Sequence, residues 1–258
     1  YGHMLLKGIG VPVNKKEASK YYKMSADRGH TKAMVNYGLM LYQGDGIGID
    51  KVEAARYFKM AAKNGNSKAM FIYGLMADQG DGVAVDKVTA ANYYKMAADN
   101  GNKDAILNYA IMVDEGEGVP VNKKEAAYYY KKAADQGDPR GMYNIAVMYD
   151  GGDGIAVNKA EAARYYKMAA DNGNEKAMYN LAVSYDRGDG IAVNKKEAAR
   201  YYKMAADMGH QKSMHNYAVM LKAGDGIPMD QKEAERYFQL ENNAATTAIS
   251  QSKCCILI

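Results

Sequence analysis

The chain repeatedly carries two closely spaced glycines, an arrangement that can serve phosphate chemistry. Residues 152–159 and 188–195 both read GDGIAVNK, and glycines before a helix start can cradle a phosphate with backbone amides. Such a site needs a preceding strand, and no strand pattern exists there. A calcium loop also fails, because aligning Gly154 with the invariant loop glycine places Tyr149 and Gly151 where acidic ligands are required. We therefore interpret the glycines as structural turns between helices.

The histidines and carboxylates give no pattern of a catalytic or metal site. His30 and His210 occupy a turn position that is Asn or Asp in comparable segments, so we interpret them as helix-start residues. No His/Glu metal pair, zinc spacing or nucleophile elbow occurs. The carboxylates alternate with lysines in the manner of a solvated surface. The sequence therefore predicts no catalytic residue, no cofactor and no metal, and a protein that is not an enzyme.

The last four residues form a prenylation motif, Cys255-Ile256-Leu257-Ile258. Cys254, the only other cysteine, could carry a second lipid. Lys253 is the only nearby positive charge, so a single lipid would anchor weakly. Prenylation predicts a eukaryotic, cytoplasmic protein with lipid-mediated membrane contact through Cys255, whereas the alternative is an ordinary apolar C-terminus.

The composition limits the classes of partner. The 258 residues are 48% hydrophobic and 25% charged, and the net charge of +4 comes from mixed basic and acidic residues. This balance argues against a nucleic-acid partner, and no apolar run is long enough for a transmembrane helix. The first residue is Tyr1 rather than methionine, and it aligns inside a helix, so we expect a fragment of a longer array.

An internal repeat with a period of 36 residues organises the chain. The first glycine of each pair recurs without insertion at Gly8, Gly44, Gly80, Gly116, Gly152, Gly188 and Gly224. A fixed period in this range is typical of a solenoid. We predict a repeat domain over residues 1–240, with a partial first repeat and six further repeats starting near residues 31, 67, 103, 139, 175 and 211. A polar tail follows at residues 241–258.

Each repeat contains two helical patterns, which we call helix A and helix B. In the sixth repeat, which starts near residue 175, helix A is predicted from about Lys176 to Arg187 and helix B from about Lys195 to Met208. Asn194 begins helix B as the first residue of an Asn-x-x-Glu relative of the capping box. Gly209 follows helix B and can adopt the left-handed conformation that ends a helix.

The repeat resembles the Sel1-like repeat, a relative of the tetratricopeptide repeat. In the second repeat, which starts near residue 31, the motif residues are Ala33, Tyr37, Gly38, Leu41, Gly44, Gly46, Ile47, Ala54, Tyr57, Phe58, Ala61 and Ala62. The chain departs from the common pattern because it has tyrosine where tryptophan often stands, and its cysteine-free repeats exclude the cysteine-rich bacterial branch. The resemblance implies an all-α fold, a right-handed α-solenoid of antiparallel helix pairs that binds partners on the concave face lined by helix A.

One position of helix A varies along the otherwise uniform repeat. It belongs to a stripe of helix A that we predict to point away from its own hairpin. In the third repeat, which starts near residue 67, this stripe is Lys68, Phe71, Leu75 and Asp78. The varying position, which we call the variable row, is occupied by Val35, Phe71, Leu107, Tyr143, Tyr179 and His215. We predict partner contacts at the row from Phe71 to His215, because aromatic side chains give large contact areas at low entropic cost. Neutral variation of packing residues is the alternative.

An asparagine row lies beside the variable row, at Asn36, Asn108, Asn144, Asn180 and Asn216, with Ile72 interrupting it. Asn108, Asn144 and Asn180 could grip the backbone of an extended peptide. Their regularity favours the other interpretation, in which they bond a neighbouring helix as part of the scaffold.

The sequence therefore predicts a noncatalytic scaffold or adaptor for protein or peptide ligands, located in the cytoplasm, and the prenylation motif adds a lipid tether. Two alternatives stay open. One is an adaptor like the luminal Sel1-type subunit of an endoplasmic-reticulum-associated degradation ubiquitin ligase. The other is the repeat region of a larger enzyme such as a kinase, with its catalytic domain before Tyr1.

Overall fold

The chain folds into short α-helices of nearly uniform length. The computed structural model describes the backbone of residues 1–254 and the side chains of residues 1–243, and no strand occurs in the described backbone. The helices are α1 (Gly2–Lys7), α2 (Lys15–Asp27), α3 (Thr31–Gln43), α4 (Lys51–Lys63), α5 (Ser67–Gln79), α6 (Lys87–Asp99), α7 (Lys103–Glu115), α8 (Lys123–Asp135), α9 (Pro139–Gly151), α10 (Lys159–Asp171), α11 (Glu175–Arg187), α12 (Lys195–Asp207), α13 (Gln211–Ala223) and α14 (Gln231–Cys254).

The helices form two compact units, and the boundary lies between Tyr129 and Tyr130 in α8. In the first unit, each helix from α1 to α7 packs on the next, and in the second unit the same holds from α9 to α14. Odd-numbered helices are helix A of a repeat and even-numbered helices are helix B. Within each unit, the predicted all-α array of paired helices is confirmed.

Asparagine or aspartate begins every helix B from α2 to α14. In α12, the Asn194 side chain accepts a hydrogen bond from the Glu197 backbone N–H. The backbone N–H of Asn194 donates to the carbonyl of Tyr185 at 2.9 Å. The predicted cap is therefore present, but Glu197 does not bond back to it as in a capping box. Instead, Glu197 forms an ion pair with Arg200 at 2.7 Å.

The loop between helix A and helix B requires both glycines of GDGIAVNK. Gly188 ends α11 in the left-handed conformation, with φ 83°, which glycine adopts without steric cost. Gly190 is also left-handed, and a Cβ atom there would collide with the Lys159 carbonyl of the preceding repeat. The glycine pair therefore closes a turn and lets two repeats approach.

Tyrosines and alanines of helix B form most of the core. In α12, the buried residues on this face include Ala198, Tyr201, Tyr202, Ala205 and Ala206. Small residues of helix A face this stripe. At Gly38, an added Cβ atom would lie 2.9 Å from the Phe58 ring, so that hairpin depends on the absence of a side chain.

The last helix is longer than the repeat pattern predicts. The sequence predicts a polar tail from residue 241, yet α14 continues to Cys254. Glycine ends the other helices B, at Gly209 for example, but the corresponding position holds Ala245, a strong helix former. The predicted lipidation site at Cys255 lies outside the described residues, as does the side chain of Cys254.

Candidate functional site

The variable row of helix A is partly exposed and partly core. Phe71, Tyr143 and Tyr179 are half-buried and His215 is exposed. Leu107 is only 1% exposed, so its side chain belongs to the core and is not available to a partner. The predicted partner contact at Leu107 therefore does not fit the structure.

The aromatic residues of this row pack on helix B of their own hairpin. The Tyr179 ring lies 5.9 Å from the Tyr202 ring, and Phe71 lies 5.8 Å from Tyr94. The prediction that the stripe points away from its own hairpin is wrong at these positions, because long helical side chains lean over neighbouring turns rather than projecting radially. Each ring nevertheless keeps an exposed part.

Members of the asparagine row lie beside tyrosines of the preceding repeat. Asn180 lies beside Tyr143 of α9 and Tyr166 of α10, and Asn216 lies beside Tyr202 of α12. Burial raises the pKa of Tyr202 to about 12, and the neighbouring Asn216 partly offsets that rise. These contacts favour the scaffold interpretation of the row at Asn180. Asn108 and Asn144 occupy the equivalent half-buried positions.

A groove in the second unit brings several of the predicted residues together. Its volume is about 470 Å³. It is lined by Tyr143, Glu175, Lys176, Tyr179, Asn180, Gly209, His210, Gln211 and Lys212. Helices α9, α11 and α13 supply these residues, together with the turn before α13. The groove therefore lies across the A helices of consecutive repeats, and we call it the helix A groove.

His210 forms one wall of the helix A groove and was not predicted to contact a partner. It was interpreted as a helix-start residue, and its Nδ1 does accept from the Ser213 backbone N–H as the cap of α13. Its ring also lies 4.8 Å from the Tyr179 ring. Burial lowers the pKa of His210, so the ring is neutral at pH 7. The repeat pattern shows the cap, but only the fold shows this second contact.

Two lysines give the helix A groove its charge. Lys176 and Lys212 are exposed, and neither forms an ion pair with any side chain that the structure describes. Both stand in the first turn of helix A, where the helix dipole disfavours a cation. With Glu175 the lining carries two positive charges and one negative charge, which leaves one net positive charge while His210 is neutral.

Other acidic residues of helix A are neutralised within the scaffold. Asp186 pairs with Lys195 at 2.6 Å, and Asp150 pairs with Lys159 at 2.7 Å. The partners are thus lysines at the start of helix B, while Arg200 pairs with Glu197. No cluster of three or more potential metal ligands occurs among the described residues.

The packed helix pairs place this chain in the class of helical repeat proteins. Its A helices form an open groove at the surface. The chain belongs to the Sel1 repeat family, whose model matches residues 1–30, 31–66, 67–102, 103–138, 139–174, 175–210 and 211–240. Sel1 repeat proteins are generally protein-interaction scaffolds, and the fold is typically non-enzymatic.

Two bacterial structures show the same fold. A protective antigen of uropathogenic Escherichia coli that displays an SLR fold is 28% identical with a TM-score of 0.88, over 94% of this chain and 52% of that one. This chain therefore spans about half the length of that antigen. A Sel1 repeat protein from Oxalobacter formigenes is 27% identical with a TM-score of 0.72, over 93% of this chain and 94% of the other.

None of the curated proteins is similar enough in sequence to match this chain. In the part of the chain that the structure describes, no helix combines the length and apolarity needed to cross a membrane.

Proposed function

We propose that this protein is a noncatalytic interaction scaffold that binds a protein or peptide partner in the helix A groove. The observation that carries the proposal is the groove itself, because it places Tyr143 and Tyr179 beside the charged side chains of Lys176, Lys212 and Glu175. Half-exposed tyrosines provide apolar area together with a polar tip. Phe71, His215, Asn108 and Asn144 are proposed as further contacts along the same rows.

The charge of the groove favours an acidic partner segment. Lys176 and Lys212 have no acidic partner among the described side chains, so a carboxylate of the ligand can pair with them without breaking an existing ion pair. Charge complementarity of this kind raises association rates and selects against basic partners. An extended acidic peptide with an apolar or aromatic residue matches both the lysines and the tyrosine faces.

Peptides selected from a random displayed library against the full chain test this function. Their dissociation constants are measured by fluorescence anisotropy for the wild type and the variants Tyr143→Ala and Tyr179→Ala. We expect a loss of about tenfold or more for each variant, as at an interface hot spot. Tyr128→Ala is the matched control, because Tyr128 is 62% exposed and lies on helix B. Unchanged affinity in both groove variants, with intact thermal unfolding, would reject the groove.

Charge reversal tests the preference for acidic partners. Lys176→Glu and Lys212→Glu should weaken binding and reduce its dependence on salt, since ionic contacts are screened. Lys196→Glu, an exposed lysine on helix B, is the control. Single-stranded oligonucleotides that compete fully with the peptides would point instead to a nucleic-acid ligand.

The proposed location is the cytoplasm, with membrane contact through a lipid on Cys255 and a possible second lipid on Cys254. This rests on the C-terminal motif alone. The mass of the C-terminal peptide from native protein tests it, because a prenyl group adds a defined mass and an unmodified Ile258 end removes the tether. The luminal adaptor and the kinase-linked array stay predictions from the sequence.

A further inference from the structure

At one place in the array, two neighbouring repeats carry an apolar pair where other repeats carry tyrosine and asparagine. Some helix B tyrosines lie beside the asparagine fourteen residues later, as in Tyr22 with Asn36 and Tyr202 with Asn216. At the equivalent pair of Tyr94 and Asn108, the buried tyrosine hydroxyl has no hydrogen-bond partner among the residues that the structure describes. At the corresponding positions of the second and third repeats stand Phe58 and Ile72. Because both positions change together, the contact between the two helices is apolar on both sides and buries no unpaired polar group.

A pocket lies where this apolar pair replaces the polar one. It has a volume of about 170 Å³ and belongs to the first unit. Its apolar lining comes from Leu39, Phe58, Ile72, Leu75 and Met76. Phe58 and Met76 are buried at its inner end, while the side chains of Leu39, Ile72 and Leu75 remain partly exposed. An enclosed apolar cavity of about 150 Å³ has room for a molecule of benzene, so a pocket of this volume has room for one apolar side chain.

The rim of the pocket is polar but carries no unpaired charge. Asp81 accepts a hydrogen bond from the Tyr42 hydroxyl at 2.5 Å and pairs with Lys51 at 2.7 Å. Lys51, and to a smaller extent Tyr42, lowers the pKa of Asp81, so this carboxylate is ionised and already neutralised. An uncharged occupant therefore fits this rim better than an anion or a cation.

Two carboxamides complete the rim. Gln43 and Gln79 are the last residues of α3 and α5, one repeat apart, and both are exposed. Neither forms a hydrogen bond with another side chain in the described part of the protein. A carboxamide offers one acceptor and two donors, which is the complement of a peptide backbone. A free hydrocarbon would leave both amides unused, whereas a side chain carried on a polypeptide would bring backbone groups to them.

We propose that this pocket is a second binding site, which receives one uncharged apolar side chain of leucine or phenylalanine size from a partner polypeptide. The inference rests on the proposed function only in taking the partner to be a polypeptide, and it uses no residue of the helix A groove. It assigns recognition of an apolar anchor to the first unit, while the groove of the second unit recognises aromatic and acidic character.

Methyl NMR of the full chain, titrated with small amides, tests the pocket. N-acetyl-leucinamide and N-acetyl-phenylalaninamide should shift the methyl signals of Leu39, Ile72, Leu75 and Met76 saturably. N-acetyl-asparaginamide has nearly the shape of the leucine compound but is polar, and it should cause no saturable shift. Toluene alone serves as the free hydrocarbon. Binding of toluene without either apolar amide would overturn the assignment to a side chain, and no saturable shift with any probe would overturn the site.

The double variant Phe58→Tyr with Ile72→Asn restores the pair that other repeats use. It should weaken N-acetyl-leucinamide at least tenfold while leaving thermal unfolding similar, because the polar pair is already accommodated elsewhere in the chain. Leu75→Phe, which fills the pocket with carbon atoms, should have the same effect and guards against misfolding of the double variant. Unchanged affinity in both variants would contradict the proposal. Tyr179→Ala should leave these affinities unaltered, so failure of the pocket and failure of the groove are distinguishable.

Discussion

Gly190 excludes a side chain for two separate reasons, and the chain offers a variant pair that separates them. Its φ of 72° is left-handed, and a Cβ atom would collide with the Lys159 carbonyl. Gly173 has φ 83° with nothing within 4 Å of the added Cβ atom. Both substitutions by alanine carry the conformational strain, whereas only the change at Gly190 pushes two repeats apart.

We predict that Gly190→Ala lowers the free energy of unfolding clearly more than Gly173→Ala. Placing a non-glycine residue in the left-handed region costs about 1–2 kcal/mol, and this applies to both variants. The repeat contact should add about 1–3 kcal/mol at Gly190, similar to overpacking in a core. Urea unfolding of the two variants measures the difference. Equal losses would mean that the contact with Lys159 relaxes without cost.

The contact between helix B and the next helix A depends on the tyrosine–asparagine pair. In α12 and α13 this pair is Tyr202 with Asn216, and Tyr202 is only 3% exposed. Removing one of the two polar groups leaves the other in a largely apolar setting. Removing both reproduces the Phe58 and Ile72 arrangement that the chain already contains.

A double-mutant cycle tests this contact. Tyr202→Phe and Asn216→Ile should each destabilise the protein by about 1–2 kcal/mol, and the double variant should recover about 1 kcal/mol of the summed loss. Chemical unfolding of the four proteins gives the coupling energy. Additive losses would show that the two side chains do not act as a pair, and would remove the physical reason given for the Phe58 and Ile72 exchange.

Local elements could be predicted from the sequence because their causes are local and recur in each repeat. The cap at Asn194, the glycine turn at Gly188 and the buried tyrosines of α12 depend on neighbours in the chain. The orientation of Tyr179 could not be predicted, because it depends on rotamer and on how two helices cross. The joint exchange at Phe58 and Ile72 was visible in the sequence, but its meaning required knowing that the two rows touch.

At the scale of the whole molecule, we expect the stability of each repeat to depend mainly on that repeat and on its neighbours, rather than equally on all repeats. Each described hairpin packs on the adjacent helices within its unit, and such arrays behave approximately as one-dimensional chains of units and interfaces. A severe core defect in one repeat should therefore weaken that repeat and its neighbours most. Tyr201 suits this test because it is only 2% exposed and stacks on Tyr185 at 6.0 Å.

We predict that Tyr201→Ala accelerates amide hydrogen exchange mainly in α11, α12 and α13 and much less in α3, α4 and α5. Truncating a buried aromatic residue costs about 3–5 kcal/mol, a large loss for the helices that contact it, so we expect local opening of these helices to precede global unfolding. Tyr128→Ala, on an exposed tyrosine, should change exchange little. An equal acceleration in all of these helices would instead show that the repeats unfold as one cooperative body. In that case a partner bound to the helix A groove would protect the helices around the apolar pocket as strongly as those of the groove.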